Sequence, residues 1–171
     1  MGLLPIYASD ILRVGPDGLG LMRAMPGIGA LFIGLALAQV ANPRYVGATM
    51  FVTLALFGGS IVIFSLSTVL WISLVALAIY GASDMVSVYI RLTLVQLATP
   101  DEMRGRVSAV NSISINASNE LGDFRAGLMA SGFGTVPAVL IGGIATFAVV
   151  GVWMKIFPGL IKIDSFDDAK N

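Results

Sequence analysis

An all-α integral membrane protein is the fold class this sequence predicts, and three observations predict it. Of 171 residues, 57% are apolar and only 12% charged, where soluble domains carry about a quarter charged residues. The mean hydropathy is +0.91. The apolar residues fall into runs long enough for a bilayer at about 20 residues per crossing, and the length leaves room for about five or six of them. None of the runs alternates in polarity as the strands of an outer-membrane barrel do. Each is therefore expected to be a helix, which satisfies its own backbone groups in hydrocarbon.

Residues 1–17 come first. Met1 to Ala8 is apolar but too short to cross, and a polar loop from Ser9 to Asp17 follows. This segment reads as the end of a truncated helix with its outer loop, the alternative being a short interfacial stub. Met1-Gly2-Leu3-Leu4-Pro5 has neither the basic n-region nor the cleavage site of a signal peptide.

Residues 18–157 are expected to form the membrane domain, with spans at about 18–40, 45–66, 69–97, 107–133 and 136–157. The breaks between them are Asn42-Pro43-Arg44, Ser65 to Thr68, the charged run Pro100 to Arg106, and Gly134-Thr135. Pro26 removes a backbone hydrogen bond and is expected to kink the first span. Gly27, Gly29 and Gly34, Gly58 and Gly59, and Gly142 and Gly143 are read as packing devices, because small residues let helices approach closely in lipid. Residues 158–171 form a tail. Arg44, Arg104, Arg106, Lys162 and Lys170 share one side of an alternating topology, with Lys155 near it. That side is expected to be cytoplasmic, together with the C-terminus and its Asp164, Asp167 and Asp168. The opposite side has Arg13 beside Asp10 and Asp17. The chain is thus expected to be a multi-pass protein of the plasma membrane (the inner membrane of a bacterial cell).

Several function classes drop out. There is no cysteine and no histidine, so disulfides, thiolate or histidine metal sites and the usual nucleophile–histidine pairs are excluded. No cofactor or metal is expected, and catalysis is not. A formal net charge of zero with scattered Lys and Arg gives no nucleic-acid footprint. The expected partners are the lipid bilayer and a small-molecule substrate.

Polar residues inside the spans carry the functional signal, because charge at membrane depth is expensive. The second and fifth spans have none at hydrocarbon depth, which suggests two peripheral helices and three facing a polar interior. In the third span Tyr80, Asp84, Ser87 and Arg91 share a face, with Asp84 near mid-depth and Arg91 two turns closer to the cytoplasm. Asp84 reads as a substrate or proton site, or as a hydrogen-bonded strut between helices. In the fourth span Ser112, Asn116, Asn119, Glu120, Asp123 and Gly127 form one polar stripe. Glu120 and Asp123 repel at i, i+3, and one of them is expected to hold a proton near neutrality. Arg125 points to the opposite face, and Arg23 in the first span is a candidate partner for the stripe. The alternative is a purely structural polar network.

Thr99-Pro100-Asp101 reads as a helix start, with Thr99 as cap and Pro100 in the first helical position. Thr99-Pro100-Asp101-Glu102-Met103-Arg104-Gly105-Arg106-Val107 also resembles the cytoplasmic loop between the tenth and eleventh helices of major facilitator superfamily exporters. Gly18-Leu19-Gly20-Leu21-Met22-Arg23-Ala24 and Gly27-Ile28-Gly29-Ala30 resemble the start of that family's eighth helix. Ser118-Asn119-Glu120-Leu121-Gly122-Asp123-Phe124 is similar to the branch that includes the enterobactin exporter. The resemblance covers nearly the whole chain. It implies the C-terminal half of a twelve-helix secondary transporter whose two halves rock about a central site, and hence a missing N-terminal half as partner. By the same resemblance, Asp101, Arg104, Gly105 and Arg106 belong to a cytoplasmic gate. The function expected is part of a proton-coupled exporter of a small organic molecule, incomplete by itself. The alternative is a non-transporting truncated product or accessory membrane subunit.

Overall fold

The computed structural model describes residues 2–39 and 46–156. The Asn42-Pro43-Arg44 break, the limits of the spans at residues 40, 45 and 157, and the tail with Lys162, Asp164, Asp167, Asp168 and Lys170 lie outside the described residues. Within them the chain is helical and contains no strand: α1 (Leu4–Ile6), running on as a π-helix (Tyr7–Ile11), then α2 (Pro16–Ala38), α3 (Val46–Leu66), α4 (Leu70–Ala98), α5 (Arg104–Phe133) and α6 (Thr135–Ile156). This is a multi-pass membrane protein. α2, α3, α4 and α6 are each long and apolar enough to cross a bilayer. α5, at 30 residues, has the length but is too polar to be counted with them, because Glu120, Asp123 and Arg125 fall in its middle.

Local chemistry sets the helix ends. Pro16 occupies the first position of α2 and Asp17 its first turn, where a fixed φ and a negative charge both suit the helix start. Between α3 and α4 the Val69 amide donates to the Ser67 hydroxyl oxygen at 3.3 Å, and the Ser73 hydroxyl donates to the same oxygen at 3.1 Å. These bonds pin a very short connection. At the charged run the expected Thr99 cap does not form. Pro100 is extended (φ −56°, ψ 145°) and is followed by a 3-10 turn over Asp101–Met103, so α5 starts only at Arg104. The Thr99 hydroxyl instead donates back to the Val95 carbonyl at 2.5 Å, and Asp101 pairs with Arg104 at 2.7 Å. α5 ends at Gly134, whose φ of +91° and ψ of 162° lie in a region essentially restricted to glycine. α6 begins at the very next residue.

The helices pack in a fixed order. α4 lies between α2 and α3, α3 lies between α4 and α6, and α5 rests on α6. The expectation that both charge-free spans are peripheral therefore meets a difference: α3 is uncharged but sandwiched, since an apolar helix is compatible with lipid and with an apolar neighbour alike.

Two crossings depend on glycine. A Cβ on Gly29 would sit 1.9 Å from the Ala78 carbonyl oxygen, and one on Gly81 would sit 2.0 Å from the Pro26 carbonyl oxygen. α2 and α4 thus touch backbone to backbone, beside the proline inside α2. The α3–α6 crossing is similar, with a Gly143 Cβ at 2.8 Å from Val62. Gly27 and Gly142 face open space and have no packing role here.

The best-buried cluster gathers Leu4, Tyr7, Met22, Phe64, Leu74 and Leu77 at the end of the bundle where α3 passes to α4. Tyr7 is fully buried. Its hydroxyl donates to the Ser65 carbonyl at 2.8 Å, and its ring lies 4.6 Å from that of Phe64. The N-terminal segment is thereby stapled to the last turn of α3, satisfying a carbonyl that has no helical partner. The turn after the π-helix closes with Arg13 at a positive φ of 52° and a Val14 amide bond to Ala8 at 2.8 Å.

Candidate membrane-embedded polar cavity

α5 has no buried residue, and the space between it and α4 is open. Two cavities occupy it. The larger, about 570 Å³, reaches from the N-terminal segment down between α3, α4, α5 and α6. The smaller, about 250 Å³, continues along α4 and α5 toward the charged run. They share Asp84, Ser118 and Asn119. Asp84 is fourteen residues from either end of α4, about 21 Å at 1.5 Å per residue. The waist between the cavities is therefore at mid-depth.

The larger cavity has an aromatic wall and a polar one. Phe57 of α3 and Tyr80 of α4 stack with ring centroids 4.6 Å apart, and Phe64 extends the apolar side. Opposite them are Asn119, Asp123 and Arg125 of α5. The Asp123 carboxylate also accepts a hydrogen bond from the Gly2 amide at 3.4 Å, so the N-terminal segment reaches the polar wall. In the smaller cavity Arg91 is the basic group, its Nε donating to the Ser87 carbonyl of its own helix at 3.3 Å.

Among the residues singled out from the sequence, Asp84, Arg91, Asn119 and Asp123 border this space. Asn116 and Glu120 border neither cavity, and nor does Arg23, because no residue of α2 lines them. A helical wheel shows why. At about 100° per residue, the Ser112–Gly127 stripe is centred about a third of a turn away from the α5 face formed by Ser118, Gly122 and Ala126. Only its edge, Asn119 and Asp123, turns into the cavity. Arg125, on the side away from the stripe, lines the cavity from the other edge. Ser118 and Arg125 were missed for that reason. The i, i+4, i+8 run of small residues, Ser118-Gly122-Ala126, was the signal that could have found this face. Asp101, Arg104, Gly105 and Arg106 lie together and exposed at the start of α5, away from both cavities. Among the described residues no group of acidic side chains could hold a metal ion.

Comparison with known proteins gives one result. A family model described as transmembrane secretion effector, from the major facilitator superfamily, matches residues 1–170. No curated protein and no solved structure matches.

Proposed function

The chain belongs to the transmembrane secretion effector family of the major facilitator superfamily, and on that premise we propose that it forms the helical half of a proton-coupled exporter for a small organic molecule. The observation that carries this reading is the mid-depth junction of two cavities in an otherwise apolar bundle. A volume of about 570 Å³ is in the range of small-molecule sites. Its aromatic wall of Phe57, Tyr80 and Phe64 suits an apolar body, and Asn119, Asp123 and Arg125 suit a polar end.

The polar side of α5 that faces away from the cavities supports a second element of the proposal. Asn116 and Glu120 are exposed on a helix with no buried residue, and such groups are costly against lipid. A further helical unit, the N-terminal half expected from the sequence, would cover them and complete the transporter. Asp101, Arg104 and Arg106 would then meet that unit at the cytoplasmic end. The same exposed stripe also favours the alternative reading of an accessory subunit that docks on a partner without moving substrate.

The test is a reconstitution. The protein, alone and with a candidate partner half, is placed in phosphatidylethanolamine–phosphatidylglycerol vesicles loaded with lipophilic dyes, and an inward proton gradient is imposed. Gradient-dependent dye export, weakened in Asp123→Asn because the cavity loses part of its polar end, supports transport. Stable co-purification with a partner but no gradient-dependent flux of any dye would leave the accessory-subunit reading standing and sink the exporter.

A further inference from the structure

The geometry points to Asp84 as the carboxylate that gives and takes the transported proton, through a water path formed by the two joined cavities of this one bundle. This deepens the exporter reading and rests on it. A coupling acid has to be reachable from each side of the membrane in turn. Among the described residues Asp84 is the one acid that lines both cavities. Asp123 lines only the larger, where the Gly2 amide already occupies one of its oxygens. Glu120 lines neither, so the acid pair picked out by spacing along α5 is not the pair the fold presents to water.

The surroundings of Asp84 suit a group that changes charge. On its own helix Tyr80 lies one turn to one side and Arg91 two turns to the other, the arginine in the smaller cavity. From α5 come Asp123 and Arg125, both in the larger cavity, and the neutral amide of Asn119 beside the hydroxyl of Ser118. Among the described residues α3, α6 and the N-terminal segment contribute no titratable side chain to either cavity, and the charged terminal amino group acts on Asp123. The guanidinium of Arg91 does not reach Asp84. It is turned back onto the Ser87 carbonyl at 3.3 Å, which leaves the carboxylate without a fixed counter-ion on its own helix. A permanently paired acid would hold its charge and could not cycle. The proton binds a carboxylate oxygen from one cavity and leaves into the other, and no other bond changes.

The chain contains no cysteine, so a single introduced thiol reports one position without background. In phosphatidylethanolamine–phosphatidylglycerol vesicles, Asp84→Cys should react with a membrane-impermeant cationic methanethiosulfonate added from either side. Glu120→Cys should react at least about tenfold more slowly from both, since a thiol facing hydrocarbon is not ionised. Reaction of Asp84→Cys from one side only, or from neither, overturns the proposal. A second measurement reads the charge at Asp84. In Ser118→Cys, the rate with a cationic reagent relative to a neutral one should be about three- to tenfold higher than in the double variant with Asp84→Asn. An equal ratio in the two variants refutes the assignment. Both readouts are independent of substrate flux, so absence of export would count against the exporter reading and leave the fate of Asp84 to these measurements.

Discussion

Replacing Gly81 by alanine should damage the bundle far more than its size suggests. The Cβ would lie 2.0 Å from the Pro26 carbonyl oxygen and 2.5 Å from its carbonyl carbon and Cα. Ordinary van der Waals contact begins at 3.4 Å. The shortfall is 3.4 − 2.0 Å, about 1.4 Å. It cannot be absorbed by a rotamer change, because all three obstructing atoms are backbone. α2 and α4 must therefore move apart over the whole crossing, including the Gly29–Ala78 contact. Overpacking costs about 1–3 kcal/mol, and a clash with rigid backbone belongs at the top of that range. Alanine's better helix propensity returns about 1 kcal/mol, leaving a net loss of about 2 kcal/mol, or about thirtyfold in the folded-to-unfolded ratio. Gly27→Ala is the matched control: same helix as Gly29, same propensity gain, open space around the new methyl. Unfolding in detergent by titration with dodecyl sulfate, followed by circular dichroism, reads both. Gly27→Ala should unfold at or above the wild-type midpoint and Gly81→Ala clearly below it. Equal midpoints for the two variants would refute the backbone-contact account of this crossing.

Other positions give sharper or quieter outcomes. Tyr7→Phe keeps the ring against Phe64 but leaves the Ser65 carbonyl without its donor, a loss of about 1–2 kcal/mol; limited proteolysis should cut the N-terminal segment sooner, and unchanged cleavage would contradict the staple. Gly134→Ala forces a Cβ onto a backbone at φ +91°, costing about 1–3 kcal/mol, and should broaden the α5–α6 distance distribution measured between paired spin labels. Asp101→Asn breaks an ion pair whose side chains are 51% and 84% exposed; such pairs contribute little, so the dodecyl sulfate midpoint should not move, while gradient-driven export should fall if the loop is a gate.

The helical class was readable because its cause is local. Long apolar runs with no polarity alternation have only one way to satisfy their backbone in lipid, and they end where Pro16, the Ser67 turn and Gly134 demand it. The charged run was less readable. Thr99 has the right chemistry for a cap, but Pro100 turns the chain outward and leaves its hydroxyl nearer to Val95. The site was half readable. A wheel reveals which residues share a face and not what that face meets. Asp84, Arg91, Asn119 and Asp123 reach the cavities, whereas Glu120, on the same stripe as Asn119, turns aside. Gly81 went unnoticed because nothing in its neighbourhood announces that a proline carbonyl from α2 lands on it.

The single-residue joint at Gly134 gives α5 the mechanics of a lever. Its arm is the full helix, 30 residues or about 45 Å, and its fulcrum is one glycine free of side-chain constraint. A tilt of about 5° about that point carries the far end through about 4 Å. It carries Asn119, about half of the way along, through about 2 Å. A displacement large enough to be seen at the charged loop would therefore reach the waist geared down by half, so a coarse push at one end would work a fine valve at the other.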